Sequence, residues 1–235
     1  MSTVLVLKDI KKEFHGATIF ENIHLSILTS QMIAIKGKSG IGKSTLLNII
    51  AGLERPSSGT YFLGDIKMET KNLNQLSEIR KKKIGYISQH SPMIPGLSAF
   101  ENICVPLWFE KNMNIKNKAM KEITELSRVF EVDHLLHKRI EKLSGGETQR
   151  IGIIRSLIHH PEVVVADEPT AALDEETASK VLDYFKKLKS KGIAIILATH
   201  SSFVAEHCDE TYLLTKNELS HVNTSEKDRK VGMNK

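Results

Sequence analysis

An α/β fold built on a parallel sheet follows from three features of the 235-residue sequence. Short β-branched strands alternate with segments of helical spacing. A glycine-rich turn joins one strand directly to one helix, and a long middle stretch carries helical spacing without strands. Such alternation places crossover helices over a parallel sheet and makes the middle stretch, about 90–160, a helical insertion.

The elements follow in order. Val4–Ile10 alternates and is β-branched, and Ile23–Leu28 repeats the pattern, so both read as strands. Met32–Lys36 is a short apolar strand that runs into the glycine-rich turn, and helical spacing then spans Lys43 to Ala51. Pro56–Gly59 is a turn before strand-like Thr60–Leu63, and Ile84–Ser88 is a further buried strand. Beyond His90, Pro92, Pro95 and Gly96 punctuate the chain. Helical spacing covers Ala99–Phe109, Lys118–Phe130 and Gly146–His159. Strands return at Val163–Ala166, Ala194–Thr199 and Thr211–Leu214, with a helix at Glu175–Ser190. Residues 1–219 form one domain on this reading, and the polar stretch 220–235 is a loose tail.

Composition narrows the function classes. At 40% hydrophobic and 26% charged the chain is an ordinary globular protein. Its longest apolar runs are strand-sized, and no charged-then-apolar leader opens it, so a membrane role calls for another polypeptide. Cys104 and Cys208 have no metal or redox spacing and point to a reducing compartment. His134 and His137 can share a helical face, but without a third ligand they read as surface. The net charge of +5 comes from short scattered clusters such as Arg80–Lys83, so no nucleic-acid partner is expected.

Gly37, Lys38, Ser39, Gly40, Ile41, Gly42, Lys43, Ser44 and Thr45 fill the pattern G-x-x-x-x-G-K-[ST] between a strand and a helix. Glycines there let backbone N–H groups curl around phosphates at a positive helix end. Lys43 is expected to reach the β- and γ-phosphates, and the Ser44 hydroxyl to ligate Mg²⁺. The apolar strand Val163–Ala166 ends in Asp167 and Glu168 at the carboxyl edge of the sheet, where ligands of such folds sit. Asp167 is suited to help hold Mg²⁺, and Glu168 to polarise or deprotonate the attacking water. A strand that merely stops at the polar turn before Pro169 is the plainer alternative.

Leu143-Ser144-Gly145-Gly146-Glu147 carries a second signal. Ser144 and Glu147 make a capping box, yet two glycines are poor helix starters if capping were the only task. Bare backbone at a helix N-terminus suits an anion.

With this element the chain resembles the nucleotide-binding subunits of ABC transporters, whose signature motif is LSGGE. The likeness runs from about Val4 to Leu214. Gln89 matches the Q-loop glutamine, a Mg²⁺ and water contact; Ala171–Asp174 matches the D-loop; His200 matches the switch histidine that contacts the γ-phosphate. By themselves these residues read equally as a strand-end polar group, a helix cap at Asp174 and a loop histidine. The resemblance implies a P-loop NTPase (RecA-like) core with an N-terminal antiparallel β subdomain and the helical insertion. It also implies a head-to-tail dimer in which ATP is held by Gly37–Thr45 of one subunit and capped by Ser144–Glu147 of the other.

Three positions depart from the common pattern. Phe14 stands where an adenine-stacking tyrosine is usual, with Phe20 a competitor and a core role an open alternative; Thr148 replaces a frequent glutamine, and Ser88 a frequent phenylalanine. Stacking needs only a ring, and no catalytic group is lost. Leu76–Arg80, Lys83–Tyr86, Leu97–Asn102 and Val105–Leu107 resemble the subgroup serving lipoprotein release, macrolide and peptide export and cell-division control. Phe100, Ile103, Leu107, Trp108 and Phe109 form either core packing or a groove for a permease helix. The implied function is an ATPase on the cytoplasmic face of the membrane. It couples ATP-driven closure to a permease for export or extraction of a lipoprotein, peptide or hydrophobic compound. The rival is a non-transport regulator of a membrane complex.

Overall fold

The computed structural model describes residues 2–89, 91–108 and 110–222. Thr3–Phe14 (β1) and Ala17–Leu28 (β2) form an antiparallel hairpin longer than the alternation predicts. Register shifts between Leu7 and Ile10 and between Lys12 and Glu13 break the two-residue rhythm that reveals a strand, and Asp9, within the first, takes a positive φ of 52°. Met32–Lys36 (β3) enters a second sheet, and Lys43–Ile50 (α1) follows it. Ser58–Leu63 (β4) and Ile66–Lys67 (β5) return to the first sheet and complete the order β2-β1-β4-β5.

Leu73–Lys83 (α2) has little apolar signal because it buries only Leu76; a capping box of Asn72 and Gln75 starts it instead. Ile84–Ile87 (β6) leads to the helical layer of Ala99–Cys104 (α3), Met113–Val129 (α4) and Gly145–Leu157 (α5). The helix expected over Ala99–Phe109 stops at Cys104 and passes into a 3₁₀ turn, Val105–Leu107, at Pro106, which lacks the amide an α-helix needs. Phe109 lies outside the described residues. Val163–Asp167 (β7), Glu175–Ser190 (α6), Ala194–Ala198 (β8), Ser202–Glu206 (α7), Glu210–Leu214 (β9) and Leu219–His221 (β10) finish the chain. Because β10 pairs with β9, Ser220 and His221 belong to the sheet and not to a loose tail. Residues 223–235 lie outside the described residues.

The second sheet has the order β10-β9-β3-β8-β7-β6 and is parallel except at β10. Strands β7 and β8 are buried at every position, which is why they read as apolar runs and not as alternation. The pleat divides their side chains between two cores. Val163, Val165, Ile196 and Ala198 face a core shared with β1, β2, β4 and α1; Val164, Ala166, Ile195 and Leu197 face one shared with the helices. Among the described residues, no helix is long and apolar enough to cross a membrane.

Candidate nucleotide site

The carboxyl ends of β3, β6, β7 and β8 open on one cleft of about 500 Å³. Strand β3 feeds the glycine-rich turn, β6 leads to Gln89, β7 ends in Asp167, and β8 runs into Thr199 and His200. The cleft is lined by Ser39, Gly40, Gly42, Lys43, Ser44 and Thr45 from the turn, facing Gln89, Asp167, Glu168, Ala171 and His200. Gly37 and Lys38 are not part of this lining, and their carbonyls accept from Lys43.

Glycine is required at two points of the turn. A Cβ on Gly42, at φ 105°, would stand 2.7 Å from Ile19 Cγ2 and 2.9 Å from Phe20 Cδ1. One on Gly37 would stand 2.9 Å from the Leu214 carbonyl oxygen. The antiparallel sheet and β9 thus press the turn into shape from behind.

Lys43 places its ammonium at the centre. It donates to the carbonyls of Gly37 (3.0 Å) and Lys38 (3.2 Å), and its Nζ lies 2.8 Å from His200 Nε2, so three partners match its three protons. Burial lowers its pKa, while the carboxylates of Glu168 and Asp167 act in the opposite direction.

Glu168 is held on every side. Its Oε1 accepts from the His200 amide at 2.9 Å, and Thr199 Oγ1 donates to Oε2 at 3.4 Å. Its own amide donates to the Ala198 carbonyl at 3.0 Å. The backbone takes φ 48°, a left-handed conformation that costs a non-glycine residue about 1–3 kcal/mol and persists only where the surroundings enforce it. Strain of this kind collects at reactive positions, and here it falls on the carboxylate that faces the cleft.

The donor set suits a hard cation. Ser44, Gln89 and Asp167 offer hydroxyl, amide and carboxylate oxygens to the same cleft, which are ligands Mg²⁺ accepts. Among the described residues, no three His, Cys, Asp or Glu side chains gather into a metal cage. His134 lies 3.9 Å from Asp133, in keeping with a surface residue.

Ser144–Glu147 does not line this cleft. The capping box is formed: Ser144 Oγ accepts from the Glu147 amide at 3.3 Å, and Glu147 Oε2 accepts from the Ser144 amide at 2.7 Å. The two glycines then differ. A Cβ on Gly145 would meet nothing within 4 Å, whereas one on Gly146 would stand 2.8 Å from the Ala172 carbonyl oxygen. Gly146 therefore has a packing reason inside its own chain, and Gly145 leaves exposed backbone that packing does not explain. Asp174 caps α6, accepting from the Thr177 amide and hydroxyl at 2.9 Å each, and these bonds lower its pKa.

The two phenylalanine candidates separate by exposure. Phe20 is fully buried, whereas Phe14 is 41% exposed and has Lys12 Nζ 4.4 Å from its ring centroid. Phe14→Ala should weaken ATP binding roughly tenfold, the scale of one lost base–aromatic stack, without shifting the unfolding midpoint. Phe20→Ala should cost about 3–5 kcal/mol of stability instead. Nucleotide titration alongside thermal melts of both variants checks this pair.

Two residues of the site escaped the sequence reading. Thr199 is 1% exposed beside Glu168. Gln149 is 4% exposed and touches both Glu168 and Ala172. Its signal was present in the sequence, because 149, 153 and 157 share one face of α5 with Ile153 and Leu157, and a polar residue interrupts that apolar stripe.

A parallel sheet whose strand ends gather a phosphate loop, an acidic pair and a histidine defines a nucleoside-triphosphate hydrolase of the phosphate-loop class. Within that class the chain belongs to the ABC transporter family, whose family model matches residues 20–171. It is 37% identical over 221 residues to the lipoprotein-releasing system ATP-binding protein LolD of Legionella pneumophila (strain Lens), covering 92% of this chain and 96% of that one. It is 38% identical over 203 residues to the macrolide export ATP-binding/permease protein MacB of Campylobacter jejuni subsp. jejuni serotype O:2, covering 86% of this chain and 31% of that longer protein. A dimeric, post-hydrolysis structure of the ATP-binding cassette MJ0796 with ADP and Pi matches with a TM-score of 0.86 at 31% identity, over 93% of this chain and 99% of that one.

Proposed function

We propose that two copies of this chain, arranged head to tail, bind and hydrolyse ATP with Mg²⁺ on the cytoplasmic face of a membrane and drive a permease that exports or extracts a lipoprotein, peptide or hydrophobic compound. One observation carries the reading: the cleft gathers Lys43, Ser44, Gln89, Asp167, Glu168 and His200, while the Ser144–Glu147 turn is not part of its lining. A turn with spare anion-binding amides outside its own site is suited to cap the nucleotide of a second copy.

Each side chain then has a task. Lys43 and the turn amides hold the β- and γ-phosphates. Glu168 polarises the attacking water and takes its proton. His200, already fixed to Glu168 through its amide, orients against the γ-phosphate. Ser44, Gln89 and Asp167 would hold Mg²⁺, which would supply positive charge to offset the negative charge that develops during transfer. Chelation with EDTA should abolish hydrolysis; turnover that persists without divalent cation would sink the Mg²⁺ assignment.

The permease contact we assign to a groove of about 450 Å³ between the sheet and the helical layer, lined by Leu53, Tyr86, Val105, Pro106, Arg155 and His159. For Phe100, Ile103, Leu107, Trp108 and Phe109 the sequence left core packing and a permease groove both open. Ile103 and Leu107 are buried in the helical core and Phe100 packs partly against it, leaving Trp108 51% exposed. Among the described residues of that segment only Val105 and Pro106 reach the groove, which is also lined by Ser77, Arg80 and Lys81 of α2. Purification of Glu168→Gln protein with ATP from detergent-solubilised membranes should bring down a stoichiometric integral-membrane protein. Recovery of soluble proteins or nucleic acid alone would overturn the transporter reading.

A further inference from the structure

We propose that Gln149 is a positioning residue that ties the capping turn of one subunit to the catalytic carboxylate of that same subunit. The Gln149 side chain lies beneath the first turn of α5, five residues after Ser144, and is 4% exposed. Its Nε2 donates to the Glu168 carbonyl at 2.9 Å, and its Oε1 accepts from the Ala172 amide at 3.1 Å. A primary amide is the side chain that presents one donor and one acceptor side by side, which is what the loop offers it.

The loop has little freedom once held. The Glu168 carbonyl also accepts from the Ala171 amide at 3.2 Å, so both its lone pairs are engaged. The Leu173 amide donates to Thr170 at 3.1 Å, closing the segment on itself. Gly146 presses its bare backbone against the Ala172 carbonyl, where a Cβ would fall within 2.8 Å. The turn carrying Ser144–Glu147 therefore meets the 168–172 loop at two points, one steric and one hydrogen-bonded. Glu168 sits at φ 48°, where few neighbouring conformations exist for it to absorb a shift of its carbonyl by rotating.

A consequence follows for a dimer with two shared sites. The turn caps the partner's nucleotide, and Glu168 activates the attacking water at its own. Gln149 is then a direct polar link by which capping one site adjusts the base of the other. This coupling rests on the head-to-tail arrangement proposed above; the local clamp does not.

Two variants test it. Gln149→Met fills the same space without either hydrogen bond. Gln149→Glu keeps the acceptor and regains a donor only when its carboxyl is protonated. Amide hydrogen exchange of the isolated chain without nucleotide should show the Ala172 amide exchanging roughly tenfold faster in Gln149→Met, the scale expected for a buried donor that loses its acceptor. In steady-state assays kcat should fall about 10- to 100-fold with KM changed less than about twofold, because misplaced reacting groups lose turnover and not binding. Relative to the parent at each pH, Gln149→Glu should recover activity as pH falls, whereas Gln149→Met should not. Unchanged Ala172 exchange with parental kcat overturns the clamp. Faster exchange with parental kcat overturns its role in catalysis. A separate control, ATP-driven dimerisation in a Glu168→Gln background, isolates the underlying reading: loss of dimer in the Glu168→Gln parent itself would condemn the head-to-tail arrangement, leaving the clamp to be judged on exchange alone.

Discussion

Replacing Glu168 by Gln is expected to lower kcat for ATP hydrolysis by about 10²–10⁴-fold, the range in which a positioned general base contributes. The substitution is nearly isosteric, so the reason has to be chemical. Glu168 Oε1 accepts from the His200 amide, a role a Gln carbonyl oxygen repeats. Oε2 lies 3.4 Å from Thr199 Oγ1, a hydroxyl that can turn to accept from a Gln NH₂. The left-handed backbone, held by Ala198 and Gln149, is untouched. What disappears is basicity toward water. Nucleotide affinity should stay within a few-fold, since Lys43 and the glycine-rich turn are unchanged, and ATP should accumulate in a closed dimer. Single-turnover hydrolysis and light scattering with ATP and Mg²⁺ read both effects. Parental turnover would remove Glu168 from the mechanism, and a slow enzyme that stays monomeric with ATP would count against the head-to-tail closure.

The sequence announced the phosphate loop and the acidic strand end because their chemistry dictates residue type at fixed spacing. Gly42 has to be glycine since Ile19 and Phe20 occupy the space of its Cβ, and Lys43 has to follow it for its ammonium to reach the cleft. Strands β7 and β8 were legible as continuous apolar runs because both their faces are covered. Legibility failed where a local rhythm was broken or where polar residues did structural work. The β1–β2 hairpin hid half its length behind register shifts. Helix α2 hid because it buries a single leucine and relies on its Asn72–Gln75 cap. The helix after Ala99 was overdrawn through Pro106, whose ring forbids continuation. In the site, the partners of Gln149 and Thr199 went unseen since the Glu168 carbonyl, the Ala172 amide and the Glu168 carboxylate lie 19 to 31 residues away, although the polar break in the apolar stripe of α5 did mark Gln149. Phe14 and Phe20 were indistinguishable by type and became distinct only when one was buried and the other left open.

Ser144→Arg should abolish steady-state hydrolysis while leaving ATP binding by a single chain intact, and the contrast comes from where Ser144 sits. It is exposed and not part of the cleft lining, so a bulky cation there leaves Lys43, Ser44 and Asp167 undisturbed. Some stability is lost with the N-cap, about 1 kcal/mol, because the Glu147 amide loses its Ser144 Oγ acceptor. That is too little to unfold a domain of this size. If the turn caps a partner's nucleotide, however, the arginine blocks closure. Lys43→Ala fails for the opposite reason, since it keeps an intact turn and loses the phosphate contact. The two dead variants should therefore rescue each other. In a mixed head-to-tail dimer, the intact loop of the Ser144→Arg chain meets the intact turn of the Lys43→Ala chain, which restores one site of two. With random pairing half the dimers are mixed, so an equimolar mixture should regain about a quarter of parental activity. A site complete within one chain predicts no rescue at all. Inactivity in a mixture proven to contain mixed dimers would mean either that the sites are not shared or that neither turns over unless both are sound. Single-turnover measurement on the purified mixed dimer distinguishes these two cases, because a shared but coupled site still binds ATP at the one intact loop and closes over it once.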